Sequence, residues 1–165
     1  MTVKLVGADD ATGTNNVPGQ VIYCRFQAER SGTVTEFRIK CGASGQVIVA
    51  IYSHDATNDL PLNRLGYNNT PQDVTSGWNT LSIPNTEVVA GEYYWLAVDM
   101  SNVTGLSQYV TPSGRYAYKQ VTWGTYTFPD PADSGLSVGT NAYFLYAGWG
   151  FPPPGTDTLF NRGFN

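Results

Sequence analysis

Gln46-Val47-Ile48-Val49-Ala50-Ile51-Tyr52-Ser53 is the stretch on which the fold turns. Side chains alternate between the two faces of a strand, so Val47, Val49 and Ile51 share one face and Ile48, Ala50 and Tyr52 the other. Both faces are apolar, and β-branched residues favour extended backbone over helix. A short run that is apolar on both sides predicts a central strand with a packed layer on each face.

On the N-terminal side, Thr33 to Cys41 alternates strictly, with Phe37, Ile39 and Cys41 on one face and Glu36, Arg38 and Lys40 opposite. Val21 to Phe26 places Ile22, Cys24 and Phe26 together, and Ser31-Gly32 between the two segments predicts a hairpin turn. On the C-terminal side, Gly77 to Ile83, Glu92 to Met100, Leu106 to Val110, Tyr116 to Val121 and Ala142 to Ala147 read as strands, with a short further one at Arg64 to Tyr67. No segment sustains the i, i+3, i+4, i+7 spacing of a helix. Eight or nine antiparallel strands predict one all-β domain, a β-sandwich of jelly-roll type, over residues 20–149. An N-terminal arm (1–19) and a Pro-rich C-terminal arm (150–165) fall outside that pattern. Pro152-Pro153-Pro154 favours extended backbone that leaves the sheet, so Phe151, the three prolines, Phe160 and Phe164 are expected to contact neighbours.

Composition agrees. Of 165 residues only 13% are charged, about half the ~25% usual for soluble domains, while 18 Gly and 10 Pro interrupt helices. Nine basic residues against thirteen acidic ones, net −4, remove the electrostatic basis for a nucleic-acid partner. No apolar run reaches the ~18 residues of a membrane-spanning helix, so no membrane partner is expected. The opening Met1 to Asp10 turns acidic before a signal-peptide core develops; with Met1 as the native start, export by that route is not expected.

The hairpin pairing implied by Ser31-Gly32 would set Cys24 and Cys41 four residues apart along the ladder, about 13 Å. A disulfide needs Cα atoms within ~7 Å, so two buried, unbridged thiols are predicted. One histidine and two cysteines also cannot complete a structural zinc site.

No enzyme is expected. His54, the sole imidazole, sits in Ser53-His54-Asp55 without a nucleophile elbow, and reads as a solvated loop residue. Four Glu and nine Asp provide carboxylate pairs by chance, and Glu36, Glu87 and Glu92 read as surface charge. No cofactor is implied. The weak calcium candidate is Asp55, Asn58 and Asp59, oxygen ligands crowded on one loop but without the closing Glu of an EF-hand; such loops more often form ordinary turns. Asp130 and Asp133 form a second, weaker one.

Flat aromatic rings stack on the apolar faces of sugars, so exposed aromatics are the remaining signal. Trp95 is expected in the core and Trp78 at one end of it. Trp123 and Tyr126, before the Pro/Asp loop at 128–133, are the leading candidate sugar platforms, with Trp149 and Tyr109 beside them.

Several stretches recur in order: Ser31-Gly32-Thr33-Val34, Phe37-Arg38-Ile39, Val49-Ala50-Ile51-Tyr52, Leu60-Pro61-Leu62, Arg64-Leu65-Gly66, Gly77-Trp78, and Val89-Ala90-Gly91-Glu92-Tyr93-Tyr94-Trp95-Leu96-Ala97-Val98-Asp99. Over residues 20–148 they resemble the carbohydrate-binding-module-like jelly rolls of bacterial extracellular proteins and phage structural proteins. The resemblance implies the fold, in which these stretches serve packing. Two functions follow as expectations. The first is a non-catalytic virion component, a capsid decoration (cement) or tail-accessory subunit at the virion surface, homo-oligomeric and gripping protein neighbours through its arms. The alternative is an extracellular carbohydrate-binding module or adhesin domain that holds a glycan on exposed aromatics.

Overall fold

A computed structural model describes residues 1–9, 19–101, 108–144 and 146–154, with the backbone alone for 108–113 and 141–144. The doubly apolar run lies in β4 (Gly45–Asp55), between β5 (Leu60–Val74) and β7 (Tyr93–Met100). Val47, Val49 and Ile51 enter the main core, while Ile48, Ala50 and Tyr52 enter a second cluster on the opposite face. The expectation of a covered central strand holds on both sides.

Adding β2 (Gln20–Gln27), β8 (Gln108–Gln120) and β9 (Ser137–Phe144) gives a six-stranded antiparallel sheet in the order β5-β4-β7-β2-β8-β9. Facing it is a four-stranded sheet, β1-β10-β3-β6, from β1 (Val3–Gly7), β10 (Tyr146–Phe151), β3 (Gly32–Cys41) and β6 (Gly77–Val88). With the β8–β9 hairpin set aside, the eight remaining strands fall in the orders 1-8-3-6 and 5-4-7-2, the pattern of a jelly roll. Leu5, Ile22, Phe37, Ile39, Leu96 and Tyr146, all buried to within 1% of complete, fill the space between the sheets.

Ten strands among the described residues replace the expected eight or nine. Val3–Gly7, assigned above to an arm, forms an edge strand on β10. Gly150 and Phe151, assigned to the other arm, pair with Val34 and Thr33, so β10 continues to the prolines. An added Cβ at Gly150 would stand 1.8 Å from the Thr33 carbonyl oxygen, which is why glycine precedes Phe151. The segments at 106–110 and 116–121 belong to one strand, β8, with a register break between Val110 and Arg115. Ser31-Gly32 makes no hairpin: β2 pairs with β7 and β8, β3 with β10 and β6, so the connection arches between sheets. Cys24 and Cys41 therefore lie on opposite sheets. Both are buried and unbridged, as expected, but for a different geometric reason, and burial pushes the Cys41 thiol up to about 11.

The strand expected at 64–67 is the fifteen-residue β5, whose polar second half suits a sheet edge. Gln72 there hydrogen-bonds the main chain of Ser82 in both directions, donating to its carbonyl (3.0 Å) and accepting from its N–H (2.6 Å). One side-chain amide thus stands in for a neighbouring strand and closes the β6 edge.

Candidate functional site

The outer face of the four-stranded sheet carries the residues that alternate with the core. In successive rows, Phe151 of β10 lies opposite Thr33 of β3 and Glu87 of β6, Trp149 opposite Glu36 and Lys4, Ala147 opposite Arg38 and Thr80, and Lys40 opposite Trp78. Between the large side chains, Ala147 adds only a methyl group. The result is a groove of about 240 Å³ lined by Asp9, Arg38, Trp78, Thr80 and Trp149.

The Arg38 guanidinium lies over the Trp149 ring, 3.9 Å from its centroid, and donates to Glu36 Oε2 at 3.0 Å. A cation is attracted to an aromatic face, so Trp149 and Glu36 together fix its position. Arg38 Nε and Trp149 Nε1 are buried without a hydrogen-bond partner among the described residues, which leaves two donors on the groove's residues unsatisfied. Lys4 bridges Asp9 (2.9 Å) and Glu29 (3.0 Å). Burial opposes its charge, but the two carboxylates outweigh burial and raise the ammonium's pKa. Trp78 is 42% exposed and supplies an open ring. The groove thus combines an aromatic platform, a guanidinium, a hydroxyl and a carboxylate.

The residues that sequence reasoning favoured lie elsewhere. Residues 121–136 form a strap across the outer face of the six-stranded sheet, where Trp123 and Tyr126 turn inward, part-buried against the second cluster, with Phe128 fully buried. Tyr126 and Tyr23 both donate to Asp133 Oδ2, at 2.5 and 2.8 Å, and Lys119 reaches Asp133 Oδ1 at 3.2 Å. Burial raises both phenols well above the ordinary tyrosine pKa. The Tyr52 hydroxyl donates to the Pro129 carbonyl (2.6 Å) and Arg64 to that of Phe128 (2.6 Å), which ties the strap down along its length. Asp130 accepts from the Arg64 N–H, so Asp130 and Asp133 are parts of this fastening. Trp149 is the sugar-platform candidate that does line the groove; the Tyr109 side chain lies outside the described residues, as do Phe160 and Phe164. Trp78 is not the core cap it was expected to be. It was detectable, because alternation in Gly77-Trp78-Asn79-Thr80-Leu81 puts Trp78 and Thr80 opposite buried Leu81, as alternation in β3 puts Arg38 outward.

The calcium candidates are engaged in other ways. Asp55 accepts from the Thr57 and Asn58 N–H groups and the Asn58 amide, an Asx turn that holds its pKa down through those hydrogen bonds. Asp59, in the left-handed region at φ 53°, is clamped by Arg25 and Arg115, two cations that would repel a third. No group of three His, Cys, Asp or Glu among the described residues converges as metal ligands do. His54 is not a solvated loop residue: it lies next to the last position of β4 with 15% of its side chain exposed, and its Nδ1 accepts from Trp95 Nε1 at 3.1 Å. Burial, with Arg25 and Arg115, lowers its pKa against the pull of Asp59 and Asp55. Its neighbour Ser53 accepts from the Asn63 N–H, so Ser53, His54 and Asp55 each have a separate structural task.

Compared with known proteins, the chain matches no protein-family model and no curated sequence.

Proposed function

We propose that the protein is a non-catalytic binding module that holds a neutral saccharide in the groove of its four-stranded sheet. The observation that carries this reading is the exposed Trp78 ring beside the Arg38–Trp149 pair, in one groove with the exposed Thr80 hydroxyl and Asp9 carboxylate. Sugars need a flat apolar surface and hydrogen-bond partners at its rim, and the groove offers both. Neutrality follows from charge: the three cations Lys4, Arg38 and Lys40 are set against the three carboxylates Asp9, Glu29 and Glu36, so no net cation is left for an acidic ligand. Among the described residues that line it, the groove has no thiol or imidazole, and its carboxylate is ion-paired, which suits binding better than bond cleavage. The test is retention on immobilised neutral glycans. Wild type is expected to be retarded, Trp78→Ala and Arg38→Ala to lose retardation, and Trp123→Ala to keep it; loss only with Trp123→Ala would reject the groove.

A second reading, as a subunit of a virion or other surface assembly, has its own support. β9, at one edge of the six-stranded sheet, has neither charge nor proline from Ser137 to Phe144, so it lacks the usual guards against pairing with another chain. A display subunit at a virion surface, or an extracellular adhesin, would use the groove in the same way. Light scattering is expected to show an oligomer that Val138→Lys dissociates; a monomer at all concentrations would remove this reading.

A further inference from the structure

We infer that the saccharide site extends beyond the groove to Phe151, so that the ligand is an extended neutral oligosaccharide and Phe151 forms its far subsite; this rests on the groove reading above. Phe151 follows Trp149 by two residues on the same strand, so both side chains project from the same outer face, about 7 Å apart along β10. Gly150 between them is buried on the other side. Phe151 is 51% exposed and so presents an open ring on the same face.

The row of Phe151, Thr33 and Glu87 and the row of Lys40 and Trp78 lie about 20 Å apart along β3, with the Arg38–Trp149 pair between them. Arg38 covers one face of Trp149, so the centre of this track serves hydrogen bonding and the two exposed rings, Trp78 and Phe151, serve stacking at its ends. Beside Phe151, Thr33 donates to Glu87, which leaves further carboxylate acceptor capacity at the rim. A ligand confined to the groove would leave Phe151 unused. One that stacks on both rings must be a chain of several sugars.

The experiment compares disaccharides with hexasaccharides, long enough to reach both rings, of the malto-, cello- and manno- series by calorimetry on the full chain. For the series that binds, the hexasaccharide is expected to bind about tenfold tighter than the disaccharide. Phe151→Ala should abolish that gain and leave disaccharide affinity unchanged, Phe151→Trp should keep the gain, and circular dichroism should show both variants folded. Equal affinity for the two lengths, or an equal loss for both in Phe151→Ala, overturns the Phe151 subsite while leaving the groove reading intact. Trp78→Ala tests the groove separately, since it should weaken disaccharide and hexasaccharide alike. If no series binds wild type, both the groove reading and this extension of it fail.

Discussion

The two outer faces of the sandwich use the same side chains to opposite ends. On the six-stranded sheet, Tyr23, Tyr52 and Trp95 are buried beneath the 121–136 strap together with the strap's own Phe128, and the Tyr23 and Tyr52 hydroxyls meet protein acceptors. On the four-stranded sheet, Trp78, Trp149 and Phe151 have no such cover among the described residues, and two N–H groups remain without partners. The difference lies in the chain placed over each face, since aromatic content is similar on both. An aromatic residue under a strap stabilises the fold; one on an open face is available to a ligand.

The contrast can be broken most strongly at Phe128. Its ring is 1% exposed and meets Tyr52 and Tyr126, so Phe128→Ala is expected to cost about 3–5 kcal/mol in chemical denaturation. A loss below ~1 kcal/mol would mean that the strap is not part of the core. Asp99 sharpens the comparison through pH. It is fully buried, Oδ1 accepts from the Met100 N–H, Oδ2 has no partner among the described residues, and burial raises its pKa from 3.8 to about 6. Because the folded pKa exceeds the unfolded one, the folded state binds the proton more tightly, and stability falls as pH rises from about 4 to about 6. The shift corresponds to about 3 kcal/mol, and Asp99→Asn should remove that slope when denaturation midpoints are followed across this range. A slope unchanged in the variant would assign it to other groups.

Asp133→Ala leaves the Tyr23 and Tyr126 hydroxyls without their shared acceptor and is expected to cost about 1–3 kcal/mol. Tyrosine fluorescence and denaturation together would check it. On the open face the expected stability effect is smallest: Trp78→Ala should shift stability by only about 0.5 kcal/mol, the range of ordinary surface substitutions. A loss of several kcal/mol there would make Trp78 a core residue after all.

The sequence made the layered architecture legible because alternation is local. The doubly apolar run at 47–52 announced covers on both faces, and Glu36, Arg38 and Lys40 announced an outward face. What local pattern cannot show is which sheet a strand joins. Ser31-Gly32 has the composition of a hairpin turn, yet the chain arches to the other sheet there, and the cysteine geometry inferred from it was wrong although its conclusion held. β1 escaped notice because five residues before an acidic pair resemble a terminal arm until β10 pairs with them. Trp78 and Trp123 exchanged roles for a related reason. The strap has no periodicity, its anchors on Tyr52, Arg64 and Asn69 are 59 to 77 residues away in sequence, and only those contacts determine which ring is covered.

The central claim is that ligand meets the open face and leaves the covered one alone. The chain has four tryptophans, two on each side of this division, and each gives one indole N–H resonance in a ¹⁵N-labelled sample. On titration with a neutral tetrasaccharide of the binding series, the Trp78 and Trp149 signals are expected to move together while those of Trp95 and Trp123 stay in place. Movement of Trp123 instead, or of none of the four, would contradict the account.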